Sequence, residues 1–183
     1  MKLLFCLMFS MNLAYGYSIY SLNLEELSFE VSFGQSMMFM NDTDRQDILD
    51  REKVAIPTSS ALLLVDFIYD YKFSFPVFFN FPLTSQKFIV DGKETVEKAS
   101  TVFGVGVNYS LLQIDLKTNL TAILSSAMLA GITINQNKSY KIFPMLALEL
   151  SLLKQDGFLM YLGVERTIGL DVIALFYGVG QRF

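Results

Sequence analysis

Residues 103–111 read FGVGVNYSL, an unbroken alternation of apolar side chains with small or polar ones. Successive side chains of a β-strand point to opposite faces of the sheet, so a period of two collects one set on each face. The apolar set is Phe103, Val105, Val107, Tyr109 and Leu111, and the other set is Gly104, Gly106, Asn108 and Ser110. The stretch therefore predicts a strand with one apolar face and one small, polar face.

The same alternation recurs along most of the chain. Its other segments are residues 27–37, 60–71, 73–81, 120–134, 146–152, 160–165 and 173–183, of which 120–134 is the least regular. Together they predict about eight strands, many of them close to the ~9 to 11 residues that cross a bilayer when tilted.

The composition favours a membrane protein. Hydrophobic residues make up 52% of the chain and its mean hydropathy is +0.42. Soluble domains usually have about 45 to 50% apolar residues even when glycine is counted.

The first sixteen residues, MKLLFCLMFSMNLAYG, have the pattern of a cleaved secretory signal. Lys2 precedes an apolar run, and small residues stand at Ala14 and Gly16, as at a signal-peptidase site. We expect a mature barrel domain over 17–183, with 13 basic and 18 acidic side chains once Lys2 is removed. That acidic balance argues against nucleic acid as a partner, because nucleic-acid binding needs a basic patch.

The connections between the segments suggest how the strands are arranged. Long, charged stretches at 41–57 and 84–99 contrast with short ones at 71–73 and 155–157, and those at 114–119 and 135–141 are intermediate. An even number of strands, short turns at one end and longer loops at the other are typical of antiparallel up-and-down outer-membrane barrels. The sequence predicts an all-β transmembrane barrel, both termini on the periplasmic side, and exposed loops near 41–57, 84–99 and 135–141. It must close, since each unpaired backbone group in hydrocarbon costs several kcal/mol.

The final residues add a resemblance. Residues 176–183, FYGVGQRF, resemble the C-terminal strand of small bacterial outer-membrane β-barrels of the OmpX and OmpA-barrel type, although the family usually has a hydrophobic residue where Gln181 stands. The resemblance implies a monomer in the bacterial outer membrane, surrounded by lipid. It also implies that Tyr177, Val179 and Phe183 are part of the signal read by the barrel-assembly machinery.

Two other architectures are open on the pattern alone. A soluble lipocalin-like barrel also alternates, but its outer face is rich in Lys and Glu, whereas the second face here is mostly Ser, Gly, Ala and Asn. A helical membrane protein needs apolar runs of about 18 residues, and Asp66, Glu149 and Glu165 interrupt the longest candidates.

The parity of the strands directs several charges into the lumen. They are Glu30, Asp66, Asp70, Glu149, Glu165 and one cation, Arg182. Eight strands enclose an interior just wide enough for side chains to fill, so a hydrogen-bonded plug is predicted, with a narrow path for ions or small solutes as the alternative. Burying these carboxylates requires wet rims, cations from the loops, or protonation.

The residues needed for familiar catalytic sites are missing. The chain has no histidine, and its one cysteine, Cys6, lies in the predicted leader. Without them a nucleophilic triad or a metal–histidine site cannot be built. We therefore expect no enzyme, metal or cofactor; a barrel enzyme acting on lipid is the remote alternative.

One loop suggests a function. In residues 87–98, KFIVDGKETVEK, Asp91 and Gly92 suit a tight hairpin turn between Phe88, Val90 and Lys93. The flanking strands could continue from the barrel as a ribbon whose edge adds a partner strand. The sequence thus predicts a structural or surface-interaction barrel, with an extracellular protein or surface ligand binding at its loops.

Overall fold

A computed structural model describes residues 28–70, 72–83, 86–90, 93–97, 99–117, 119–134, 138–170 and 172–183. Within residues 86–90 and 93–97, and at residue 117, the backbone alone is described. The predicted leader, residues 1–16, lies outside the described residues, as do Asp91 and Gly92 of the predicted hairpin turn.

The described residues form ten strands and one helix. In chain order they are β1 Ser28–Phe39, α1 Asp42–Glu52, β2 Ser59–Ile68, β3 Phe73–Pro82, β4 Gln86–Val90, β5 Lys93–Glu97, β6 Val102–Lys117, β7 Leu120–Ile134, β8 Tyr140–Lys154, β9 Phe158–Thr167 and β10 Val172–Arg182.

Eight of these strands form a closed antiparallel barrel. The order around the ring is β1, β10, β9, β8, β7, β6, β3 and β2, which closes on β1 again. Apart from the inserted β4–β5 pair, each strand lies beside its neighbour in the chain. The predicted eight-stranded up-and-down barrel is confirmed.

The strands are tilted around the barrel axis. Following paired residues once around the ring from Ser28 leads back to β1 ten residues later, at Met38. The path is Ser28, Ile68, Ser74, Asn108, Ala127, Ala147, Glu165, Ala174 and Met38. Such a stagger requires tilted strands, typically by about 35–45°. Ser28 and Phe183 lie at one end of the barrel, called the terminal end below.

The side chains that alternate in the sequence face alternately the outer wall and the lumen of the barrel. Large apolar side chains on the outer wall are exposed, among them Phe29, Phe33, Phe67, Phe75, Val105, Leu148, Leu162 and Val179. The alternate positions hold buried, mostly small polar side chains, including Ser32, Ser36, Ser60, Ser125 and Ser151. The barrel is therefore apolar outside and mixed inside, which is the reverse of a soluble lipocalin-like barrel.

The connection at 41–57 differs from the exposed loop that the sequence predicted. Residues Asp42–Glu52 form α1, with the Asn41 side chain accepting a hydrogen bond from the Asp44 N–H at its start. Ile48 is only 2% exposed, and residues 54–56 are buried as well. The segment folds back over the barrel end because these apolar residues have a surface to cover there. No helix in the described parts of the chain has the length and hydropathy to cross a membrane.

Two other connections also differ from expectation. The β4–β5 hairpin is a separate two-stranded sheet rather than a continuation of β3 and β6, since β3 ends at Pro82 and β6 begins at Val102. The predicted connection at 114–119 is mostly strand, because β6 runs on to Lys117.

Candidate functional site

The middle of the lumen is filled by aromatic and aliphatic side chains. Tyr161 and Phe176 are buried, and their ring centroids lie 6.2 Å apart. Leu159 is buried in the same cluster, and Leu62 and Leu129 pack against it. These side chains occupy much of the lumen, as an eight-stranded barrel of this size allows, and leave small cavities between them.

Glycines in the strands make room for these bulky side chains. A methyl group at Gly104 would collide with the ring of Phe78, and one at Gly163 would collide with Phe176. At Gly178 it would collide with the ring and hydroxyl of Tyr161. Each of these glycines is thus paired with a large lumen-facing residue on the neighbouring strand.

An ion pair joins the first and last strands near the terminal end. Arg182 Nη2 lies 3.1 Å from Glu30 Oε2, and Arg182 Nε donates to the same oxygen at 3.3 Å. Ser32 Oγ donates to the other carboxylate oxygen of Glu30 at 3.3 Å. The Glu30 side chain is 7% exposed and that of Arg182 31%, so the pair is shielded from water on the carboxylate side.

Two more predicted carboxylates are held by hydroxyl groups. Ser74 Oγ donates to Asp66 Oδ2 at 2.6 Å, and Asn108 Nδ2 donates to Ser74 Oγ at 3.3 Å. Ser151 Oγ donates to Glu149 Oε1 at 2.7 Å. Each carboxylate is therefore oriented by a serine on the same or a neighbouring strand.

The last two predicted carboxylates have different surroundings. Asp70 accepts hydrogen bonds from the N–H groups of Lys72 and Phe73, at 2.7 and 2.6 Å, and so holds the β2–β3 turn. Glu165 has no hydrogen-bond or ion-pair partner among the described residues. Asn80 lines the same space, and its side-chain oxygen is buried without a partner in the described structure.

Three cavities are stacked along the lumen. The one nearest the terminal end has a volume of about 110 Å³, the middle one about 60 Å³ and the third about 40 Å³. Glu30, Asp66 and Glu149 line both the first and the middle cavity. Asn80 and Glu165 line both the middle and the third cavity. Each cavity has room for water, and carboxylates stand at both junctions.

The end opposite the termini is covered by a lid, which we define as α1 with residues 53–57. Ile48, Val54 and Ile56 form a buried cluster with Val172 of β10. Lys141 of β8 and Glu52 form an ion pair at 3.0 Å, which ties the lid to the wall. Residues 54–57 of the lid line the third cavity, and this end of the barrel is called the lid end.

Arg45 anchors the lid to β1. Its Nε and Nη2 atoms donate to the carbonyl oxygens of Met40 and Met38, at 3.3 and 3.4 Å, and the residue is 5% exposed. Burial lowers the pKa of the Arg45 guanidinium from its ordinary value, and the charge of Asp42 opposes that shift. The sequence analysis missed Arg45 and Ile48; the Asn41 and Asp44 pair, a helix N-cap pattern, was the available signal.

The seam where β1 meets β10 contains the predicted assembly residues. The backbones of Phe29 and Phe183 exchange two hydrogen bonds, of 3.3 and 2.8 Å, and their rings stack at 5.1 Å. Tyr177 donates from its hydroxyl to Gln35 Oε1 at 2.6 Å on the outer wall. Val179 is also exposed on that wall.

No arrangement for metal binding is found in the described residues. No group of three or more His, Cys, Asp or Glu side chains there is placed to hold a metal ion.

Comparison with known proteins gives a similarity in shape alone. No protein-family model and no curated protein sequence matches the chain. The chain is similar to small outer-membrane barrels. The N-terminal β-barrel domain of Pseudomonas aeruginosa OprF aligns with a TM-score of 0.48 and 8% identity, over 86% of this chain and 97% of that one. Ail, the attachment invasion locus protein of Yersinia pestis, solved in complex with the heparin analogue sucrose octasulfate, aligns with a TM-score of 0.41 and 12% identity over the same shares.

Proposed function

We propose that the protein is a structural and surface-interaction barrel of a bacterial outer membrane, filled by its own side chains, with the β4–β5 hairpin available to a partner. The observation that carries the proposal is the exposed apolar outer wall of a closed hydrogen-bonded ring. Such a wall is stable in lipid, because the ring satisfies the backbone and the apolar side chains need no water.

The orientation follows from the connections. Ser28, Phe183 and the connections after β2, β6 and β8 lie at the terminal end, and the lid and the hairpin lie at the lid end. Outer-membrane barrels have short periplasmic turns and longer extracellular loops. We therefore assign the terminal end to the periplasm and the lid end to the outside of the cell.

The partner surface is the free edge of β5. The lid lies beside β4, where Cα atoms of α1 and β4 approach within 8 Å, and no described strand pairs with the other side of β5. Val90 pairs with Lys93, with two residues between them in the chain, and residues so placed in a hairpin ordinarily exchange both of their backbone hydrogen bonds. By alternation the N–H groups of Glu94 and Val96 point away from β4 and can receive an added strand.

Location and orientation are tested with two single-cysteine variants in intact cells. Asp91→Cys should react with a membrane-impermeant maleimide on intact cells. Asp156→Cys, in the β8–β9 turn at the terminal end, should react only after the outer membrane is permeabilised. The opposite labelling pattern, or a protein that fractionates away from membranes, contradicts the proposal.

The partner edge is tested with Val96→Pro and its control Val96→Thr. The purified barrel in lipid nanodiscs is panned against a displayed library of extended peptides. Proline removes the outward N–H while leaving the hairpin bonds intact, whereas threonine keeps it. Selected peptides should bind the wild type and Val96→Thr but not Val96→Pro; equal binding to all three shows that recognition does not use this edge.

The stacked cavities favour one second candidate, a narrow path for protons or small cations. Carboxylates at both junctions supply the negative charge that such a path needs. Planar-bilayer recordings of the purified protein should then show discrete conductance that changes in Asp66→Asn and Glu149→Gln. A silent wild type that remains silent when residues 42–52 are deleted removes this candidate.

A further inference from the structure

The middle and third cavities of the lumen share one set of lining side chains. Among the described residues, those that line both cavities are Phe78, Asn80 and Glu165. Phe78 and Asn80 belong to β3 and Glu165 to β9, and these two strands lie on opposite sides of the ring. The carboxyl group therefore faces the amide and the aromatic ring across the lumen. We call these residues the junction.

The carboxyl group of the junction lacks the compensation that other lumen carboxylates have. Those nearer the terminal end accept hydrogen bonds from an arginine or a serine. Glu165 forms no hydrogen bond or ion pair with any described residue, and the residues paired beside it are Ala147 and Ala174. Arg45 and Lys141, which hold the lid, already bind backbone carbonyls and a lid carboxylate. A carboxylate taken out of water without a partner is costly, so the site favours an occupant that carries positive charge.

The amide of the junction is unsatisfied as well. Asn80 is 8% exposed, and its side-chain oxygen has no hydrogen-bond partner in the described structure. A buried polar atom in this situation ordinarily bonds to water or to a bound ion. A carbonyl oxygen and a carboxylate both accept hydrogen bonds, and the face of the Phe78 ring attracts a cation. The junction therefore combines groups that bind an ammonium ion.

The third cavity extends from the junction as a mostly apolar pocket. Its volume is about 40 Å³, beside about 60 Å³ for the middle cavity. Its apolar lining includes Val54 and Ile56 of the lid and Val102, Phe143 and Val172 of the strands. An engineered cavity of about 150 Å³ binds benzene. The space at the junction therefore fits a short hydrocarbon tail and excludes the acyl chain of a lipid.

We propose that the junction binds a short primary ammonium ion. Its charged head lies between Glu165 and Asn80, and its tail of roughly two to four carbon atoms lies in the third cavity beside the lid. The three N–H donors of such a head match the acceptors present. Calcium and magnesium ions need about six or more oxygen ligands, which is more than these side chains supply. The ligand is held rather than passed through, so the proposal stands whether or not the lumen conducts or the β5 edge binds a partner.

Binding at the site is observed through methionine methyl groups. Met38 and Met145 line the third cavity, whereas Met128 and Met160 are exposed on the outer wall. Full-length protein with isotope-labelled methionine methyl groups, refolded in detergent, is titrated with propylammonium chloride at about pH 8, where a primary amine is charged. The signals of Met38 and Met145, assigned by substitution with leucine, should shift and saturate, while those of the wall methionines should not.

The charge and length of the probe give a comparison on the wild type alone. n-Propanol has the same size but no charge, and it should bind at least about tenfold more weakly, since it lacks the charge-assisted hydrogen bond. From methylammonium to propylammonium, the affinity should rise roughly fourfold with each added CH₂ group as the tail enters the apolar pocket.

Three results on the wild type would overturn the proposal. The absence of a saturable shift with every ammonium ion shows that the junction holds water or a proton instead. Equal binding of propanol and propylammonium shows that charge is not recognised. An affinity that does not rise with tail length shows that the tail does not occupy the third cavity.

A matched pair of variants identifies the carboxylate that binds the head. Glu165→Gln keeps the shape of the side chain and removes its charge, so propylammonium should bind about tenfold or more weakly. Asp70→Asn also removes a carboxylate of the lumen, but this residue lines only the first of the three cavities, so the affinity should not change. Heat-modifiable gel migration verifies that both variants are folded. Equal affinity of Glu165→Gln and the wild type overturns the proposal.

Discussion

The ion pair between Arg182 and Glu30 compensates the negative charge of a carboxylate that is nearly buried in the lumen. A carboxylate that is nearly buried is costly when its partner is removed, because the charge stays in a medium of low polarity. Here the carboxylate has one further hydrogen bond, from Ser32, to compensate for that loss. The pair also links β1 to β10, so the charge is neutralised only when the barrel is closed.

Arg182→Gln should therefore lower the free energy of unfolding by about 2 to 3 kcal/mol, less than for a fully buried pair because the arginine is partly exposed. The double variant Glu30→Gln, Arg182→Gln should recover most of that loss. Denaturant unfolding in detergent, followed by far-ultraviolet circular dichroism, measures both, since the chain has no tryptophan. A double variant no more stable than Arg182→Gln shows that the buried charge is not the cause.

Gly104→Ala should destabilise the barrel by about 1 to 3 kcal/mol, the usual effect of overpacking. The added methyl group collides with the Phe78 ring, which the surrounding lumen holds in place. Phe78→Leu should relieve part of the effect in the double variant. Denaturant unfolding in detergent measures the stability of the single and double variants. If the losses of the two single variants simply add in the double variant, the two side chains do not share this space.

The facing of individual side chains could be predicted from the sequence, but their contacts could not. Alternation placed Glu30, Asp66, Glu149 and Glu165 in the lumen, because the side chains of a strand have only two directions. Which carboxylate meets Arg182 depends on the register between strands far apart in the chain. No local pattern determines that register. The partner of Arg182 could therefore not be predicted, and Glu30 and Glu165 were equally good candidates.

At the scale of elements, the lid shows what periodicity misses. α1 is polar along most of its length, and Arg45, Ile48 and Leu49 are its buried residues. A helix of eleven residues has little stability of its own in water, so it forms because the barrel end offers an apolar surface. The strands were predictable because a barrel wall imposes its period of two over many residues, whereas the lid owes its structure to that tertiary contact.

Ile48→Asn should loosen the lid without unfolding the barrel. Replacing a buried aliphatic side chain removes a few kcal/mol of packing; a loss of about 2 kcal/mol raises the open fraction roughly 30-fold. Trypsin should then cut folded protein faster at Arg51 or Lys53. Asp47→Ala, on the exposed side of α1, is the control and should not change the rate. Unchanged cleavage in Ile48→Asn would mean that the lid does not depend on this side chain.

At the scale of the whole molecule, closure is what makes the apolar wall tolerable in lipid. The ring is completed where β1 meets β10, and the Phe29–Phe183 backbone bonds are its last rung. An opened seam would expose two rows of unpaired backbone groups, each costing several kcal/mol in hydrocarbon. Phe183 therefore contributes to the closed structure, and a role of its side chain in assembly is a separate prediction.

Phe183→Ser separates these two roles. In the folded barrel it removes one stacked ring and keeps the backbone bonds, so stability in detergent should fall by only about 0.5 to 1.5 kcal/mol. If the side chain is read during assembly, insertion in cells should fall much further, as measured by the fraction of heat-modifiable protein in outer-membrane preparations. Phe29→Ser removes the other ring of the stack and is the matched control, with a similar loss in detergent but near-normal insertion. Equal insertion defects in the two variants would assign Phe183 to the stability of the seam alone, because the two substitutions break the same contact and only one alters the chain end.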